Sequence, residues 1–167
     1  FGEFIKKRVI LDSEGNVLSE TEGDVKTLSV DGKEAYESDA FNIDIKKQYR
    51  DKSLTDQQKR FPLFICEKDG NPYYVVPLVG TGLWGPIWGF IALEADMNTI
   101  FGATFDHKTE TPGLGAEINQ SWFEEPFVGD KIFDDAGAFV SVKVVKGGAD
   151  AGDMHGVDAI TGGTITS

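Results

Sequence analysis

Two apolar runs separated by a single turn constrain this chain more than any other feature. Phe61-Pro-Leu-Phe-Ile-Cys-Glu67 and Pro72-Tyr-Tyr-Val-Val-Pro-Leu-Val79 flank Asp69-Gly70. Aromatic and β-branched residues suit a pleated, half-buried surface, and Asp-Gly between two such runs is a strong hairpin signal. The pattern repeats downstream. Gly80-Thr-Gly-Leu-Trp-Gly85 reads as a tight loop, Ile87–Leu93 as a strand, Asp96-Met97-Asn98 as a turn, and Thr99–Phe105 as the returning strand. Phe139–Val145 alternates apolar and polar residues and reads as a further strand, while Ser121-Trp-Phe-Glu-Glu125 is expected to open a helix over the sheet. The expectation is one α+β domain over residues 1–167, with a mainly antiparallel, twisted sheet and packed helices. A chain of 167 residues is long enough to bury a core of its own.

The first third is less informative. Ile5, Val9 and Ile10 precede a turn at Glu14-Gly15-Asn16, and residues 21–60 are polar, with Ser53–Lys59 reading as a short solvent-facing helix or loop. No chemistry is evident there, and this stretch is expected to cover one side of the core.

Several function classes are excluded. Sixteen Lys and Arg against 28 Asp and Glu give a formal net charge of -12, which repels nucleic-acid phosphates and anionic membrane surfaces. The single cysteine, Cys66, permits no internal disulfide and lies in a strand-like run, where a buried, inert thiol is expected. His107 and His155 form no metal-ligand spacing with it, and no metal is expected. Gly80-x-Gly82-x-x-Gly85 has the bare form of a dinucleotide fingerprint. It leads into an apolar, strand-like run containing Pro86 instead of a helix, so that reading fails. No Ser/His/Asp arrangement supports a hydrolase, and the apolar runs fall far short of the ~20 residues of a membrane helix.

The last seven residues, Thr161-Gly162-Gly163-Thr164-Ile165-Thr166-Ser167, carry the densest candidate chemistry. Glycines without a Cβ let a bulky group approach the backbone, and hydroxyls can hydrogen-bond a phosphate or be joined to it. The same composition also describes an ordinary turn, and residue types alone do not choose.

The tail resembles the flavin-attachment motif of the FMN-binding domain family, Ser/Thr-Gly-Ala/Gly-Thr-x-Thr/Ser, with Thr161 for Ser and Gly163 for Ala. Three more blocks follow that family's order: Gly82-Leu83-Trp84-Gly85, then Phe105–Gly115 containing Glu110-Thr-Pro-Gly-Leu-Gly115, then Val142–Gly147. The resemblance covers the chain from about Tyr73 to its end. Within the family it is to the C subunits of sodium-translocating NADH:quinone reductases, with the G subunits of Rnf electron-transport complexes as the homologous alternative. It implies FMN joined through its phosphate to Thr164. Thr161, Gly162, Gly163 and Lys146 would surround the phosphate, Leu83, Trp84 and Leu114 would lie against the ring, and Glu110 and Thr111 would meet its polar edge or the ribityl chain. It further implies an electron-relay subunit without a complete active site of its own. Its partners would be other membrane subunits of the complex and a flavin transferase, but no nucleic acid. Also implied are an N-terminal membrane anchor preceding Phe1 and a flavin domain on the periplasmic side of a bacterial inner membrane, while Thr166-Ser167, a helix N-cap pair, leads us to expect a C-terminal helix after Ser167. A non-redox extracytoplasmic binding domain with a structural tail, and a segment of a larger flavoprotein reductase, are the competing readings.

Overall fold

The structure is a computed structural model that describes residues 4–23 and 39–163. Backbone contacts divide the chain into two units, Phe1–Pro77 and Leu78–Ser167.

In the first unit, β1 (Ile5–Leu11), β2 (Val17–Glu22), β3 (Phe61–Lys68) and β4 (Asn71–Thr81) follow the order β2-β1-β3-β4, and all pairs are antiparallel. The β1–β2 turn is set by Asp12, whose Oδ1 accepts the N–H groups of Glu14 (2.9 Å) and Asn16 (2.8 Å). Between β3 and β4, Asp69 (φ 53°) and Gly70 (φ 78°) both take the left-handed conformation that a two-residue hairpin turn requires. The expected first hairpin is therefore present, with Phe64 opposite Val75. Ile10, Ala40 and Phe64 are buried together, and Ile43 and Val75 pack against them.

Sequence alternation does not mark β1 clearly, because three of its positions are Lys6, Lys7 and Arg8. Arg8 is buried nonetheless, at 2% exposure. Its Nε donates to both carboxylate oxygens of Asp39 (3.1 and 3.0 Å), its Nη1 donates to the Gly23 carbonyl (2.8 Å), and its guanidinium lies 5.5 Å from the Phe41 ring centre. Asp39 also caps the 3-10 turn Ala40–Asn42 by accepting the Phe41 N–H at 3.0 Å. A charged side chain is tolerated in a core when partners satisfy it. Helix α1 (Ile45–Arg50) starts at Asp44, which accepts the Lys47 N–H, and buries none of its residues. The solvent-facing stretch expected near residue 56 is the exposed 3-10 turn Asp56–Gln58, closed by a capping box with Thr55. Cys66 is half-buried on β3, not fully buried as expected, and burial still raises its thiol above the usual range.

The second unit contains the end of β4, then β5 (Pro86–Leu93) and β6 (Ile100–His107), an antiparallel pair with Phe90 opposite Thr104. The expected turn is fixed by Asp96: Oδ1 accepts the Asn98 and Thr99 N–H groups and Oδ2 accepts the Thr99 hydroxyl (2.6 Å). Helix α2 (Ser121–Glu124) is a single turn, shorter than the sequence suggests, and passes into the 3-10 turn Glu125–Phe127. Pro126 has no N–H to extend an α-helical ladder. Glu124 Oε1 accepts the Phe105 N–H (2.7 Å), and Phe105, Phe123 and Phe127 form an aromatic cluster with centroids 5.1–5.8 Å apart.

The continuous strand expected over residues 139–145 does not form. Phe139 makes an isolated bridge to Phe133, Ser141 has φ 61°, and only β7 (Lys143–Val145) is extended. It pairs with β8 (Gly156–Asp158) in parallel, an exception to the antiparallel pattern. The fold class otherwise matches expectation, a mostly antiparallel sheet with few helices. Among the described residues, no helix is long and apolar enough to cross a membrane.

Candidate functional site

Two glycine-bordered loops of the second unit lock together. In the first, Gly82 N–H donates to the Gly85 carbonyl (2.8 Å), closing the turn that presents Leu83 and Trp84. Both side chains are exposed, Leu83 at 52% and Trp84 at 65%. The second loop begins at Glu110, which is buried at 5% exposure. Glu110 Oε1 accepts the Trp84 N–H at 2.8 Å, and Thr109 donates its hydroxyl to the Trp84 carbonyl, also at 2.8 Å. The backbone of Trp84 is thus held on both sides while its ring stays in solvent.

The glycines are required by this lock. A Cβ on Gly82 would lie 2.5 Å from Glu110 Oε1, and one on Gly85 would lie 2.5 Å from Thr109 Oγ1. Either would displace the side chain that fixes Trp84.

The second loop is a tight turn. Thr111 is exposed, and its carbonyl accepts the N–H groups of Leu114 and Ala116, both at 3.1 Å. Pro112 supplies the second turn position and Gly113 the third, with φ 75°, the arrangement of a type II turn. Glu117 Oε1 accepts the Gly113 N–H (2.8 Å), so a carboxylate four residues on steadies this turn too. Leu114 is left 40% exposed.

The C-terminal tail reaches the same place. A Cβ on Gly162 would lie 2.7 Å from Leu114 Cδ2, and one on Gly163 would lie 3.2 Å from the Leu114 carbonyl carbon. Gly162 also has φ 80°, a left-handed conformation that favours glycine. Close approach and backbone twist therefore both demand glycine in the tail, and the partner is the Leu114 loop. The Gly163 N–H donates to the Ile160 carbonyl at 2.9 Å. It closes the turn at the tail. Thr161 is exposed, and Thr164 lies outside the described residues.

Lys146 is exposed one residue beyond β7. The preceding carbonyl, of Val145, accepts the Ala159 N–H (3.0 Å), so the Lys146 turn and the chain entering the tail share a backbone hydrogen bond. Of the expected residues, then, Leu83, Trp84 and Glu110 belong to one locked unit, and Leu114, Gly162 and Gly163 to a second contact. Thr109 and Glu117, which hold the loops, do not stand out in the sequence. A threonine or a glutamate carries no sign of its partner when the partner is a backbone atom set by the fold.

Glycines packed on an apolar residue, beside a second loop displaying a tryptophan, are what a domain needs to let a flat, phosphorylated ligand approach its backbone. The chain belongs to the FMN-binding domain family, which matches residues 82–167, wholly within the second unit. Along its whole length the chain is similar to the C subunits of Na(+)-translocating NADH-quinone reductases. It is 36% identical to that of Vibrio anguillarum and 33% identical to that of Vibrio parahaemolyticus, over 100% and 99% of this chain and 64% of each relative. Among solved structures, the corresponding protein from Parabacteroides distasonis is 42% identical with TM-score 0.69, covering 99% of this chain and 70% of that one. NqrC of Shewanella oneidensis is 31% identical at the same TM-score, over 99% and 74%. The chain thus spans 64% of the length of the two Vibrio relatives.

Proposed function

We propose that this domain carries FMN joined by a phosphoester bond to Thr164 and serves as an electron relay in a membrane-bound, sodium-translocating NADH:quinone reductase. The observation that supports the reading is the fit of Gly162 and Gly163, which immediately precede Thr164 in sequence, against Leu114. When bound, FMN supplies reversible electron acceptance and release. Every other part of the function falls to the protein. Leu83 and Trp84 on one loop and Leu114 on the other offer apolar faces for the ring. Thr111 offers a hydroxyl to the polar edge or ribityl chain. Thr161 and Lys146 offer a hydroxyl and a cation for the phosphate. Glu110 acts by holding Trp84 in place.

A covalent bond removes dissociation, so a shallow, solvent-facing site can keep its cofactor. The high exposure of Leu83, Trp84 and Leu114 suits that arrangement, since a ring near the surface can approach a partner's cofactor. The net charge of -12 disfavours NADH as a direct ligand. Electrons would instead come from and pass to other subunits of the complex, with the domain anchored at the periplasmic face. Attachment requires a separate flavin transferase using FAD and magnesium.

The test is an intact-protein mass after co-production with a flavin transferase. Wild type and Thr161→Ala should gain the mass of FMN less water, and Thr164→Ala should not. Persistence of the increment on Thr164→Ala would falsify the assignment.

A further inference from the structure

His107, the last residue of β6, takes no part in the proposed flavin site, yet its ring makes a hydrogen bond of fixed polarity. The Glu110 N–H donates to His107 Nδ1 at 3.3 Å, in a partly buried setting. A backbone N–H can only donate, so Nδ1 keeps its lone pair and the ring proton of the neutral imidazole sits on Nε2. Glu110 is also the residue whose Oε1 holds the Trp84 N–H at 2.8 Å. Thr109, between them, holds the Trp84 carbonyl through its hydroxyl. Both ties to the Trp84 backbone therefore come from one turn, running from His107 to Glu110. The Lys108 N–H fixes the start of that turn to the Pro86 carbonyl at 3.2 Å, and the His107 ring closes its end.

We propose that His107 is a positioning residue for the Trp84 loop and that protonation of its ring unlatches that loop. An imidazolium carries a proton on both nitrogens. Nδ1–H would then face the Glu110 N–H, two donors with no acceptor between them. The ring must swing away or the turn must open, and an opened turn carries Glu110 and Thr109 away from Trp84. Histidine is the side chain that ordinarily changes charge between about pH 5 and pH 8, which makes it a natural latch. Asp106 and Lys108 flank His107 in the chain, and Asp106 Oδ1 accepts the His107 N–H at 2.8 Å. β5 sets Ile87 opposite His107 and contains no titratable residue. On the other elements packed against β6, the charged side chains are Glu117 of the 3-10 turn Gly115–Asn119, Glu124 of α2, and Glu125 of the turn that follows. Glu117 and Glu124 are committed to the N–H groups of Gly113 and Phe105. These acids titrate in their own right, so the test changes residue 107 alone. The inference concerns the loop and does not rest on the flavin reading; where that reading holds, acid loosens one of the ring contacts.

The test is amide hydrogen exchange of Trp84 and Glu110 at about pH 8 and about pH 5, corrected for the intrinsic rate at each pH, with the His107 ring followed by NMR over the same range. As His107 takes up its proton, protection of both amides should fall roughly fivefold or more, the loss expected for one hydrogen bond. His107→Asn sets a non-titrating carbonyl oxygen where Nδ1 stands and should keep the wild-type protection of the higher pH at both values. His107→Ala lacks the acceptor. At the higher pH it should already show the lowered protection that wild type has at the lower one, with no further step on acidification. Melting curves of each variant verify that it folds. A ring that stays neutral across the range, or protection that does not change as the ring titrates, overturns the inference. So does a pH step that survives in either variant, His107→Ala protected like wild type, or His107→Asn protected as poorly as His107→Ala.

Discussion

The lock on Trp84 predicts a specific loss. In Glu110→Ala the Trp84 N–H loses its acceptor and a buried side chain leaves a void. Loss of a partner from a buried donor costs about 1–3 kcal/mol, and the half-exposed setting of this bond, which admits water, favours the lower part of that range. The void adds about 1 kcal/mol, offset in part because a carboxyl no longer has to be buried. The sum is a destabilisation of about 2 kcal/mol, which for a chain of this length lowers Tm by roughly 4–8 °C. Thermal unfolding by circular dichroism measures this, and hydrogen exchange at the Trp84 amide localises it. Glu110→Gln keeps an acceptor and should lose roughly half as much. Gly82→Ala should reproduce the Glu110→Ala exchange pattern, because its Cβ would occupy the space of Glu110 Oε1. A Tm within about 1 °C of wild type in Glu110→Ala, with the Trp84 amide still protected, would refute the reasoning.

Other expectations rest on single residues. Arg8→Ala leaves Asp39 and the Gly23 carbonyl without their buried donor and should cost about 3–5 kcal/mol, read as a shift in the urea midpoint; Arg8→Lys should recover only part of it. Gly162→Ala combines a left-handed backbone with a Cβ 2.7 Å from Leu114 and should slow flavin attachment in a transferase time course while costing about 1–2 kcal/mol of stability. Burial and the nearby Asp153 raise the folded Asp130 carboxyl above the unfolded value of 3.8, so the folded state binds the extra proton and loses stability as pH rises from the unfolded pKa through the folded one. Asp130→Asn should therefore melt higher than wild type at neutral pH, with the advantage vanishing below about pH 3.8.

Parts of this molecule are legible from local sequence because local residues decide them. Asp69-Gly70 fixes its hairpin through two left-handed residues, and Asp96 fixes the next by capping its own turn. Pro112-Gly113 dictates a turn regardless of context. Elsewhere a distant partner or a backbone break decides the outcome. Arg8 is buried only because Asp39 and Gly23 meet it, so β1 does not look like a core strand. The alternation of residues 139–145 promises a strand that Ser141 interrupts at φ 61°. Glu110 stands out by its motif, but its tie to the Trp84 amide depends on two loops meeting across 26 positions of sequence.

Flavin attachment is tested most directly by locating the modified atom. Trypsin can cut after Lys146, and the peptide that begins at Gly147 contains every hydroxyl of the tail. After co-production with the transferase, fragmentation of that peptide should assign FMN to residue 164. FMN on another hydroxyl, or an unmodified peptide alongside a modified control substrate, would contradict the account.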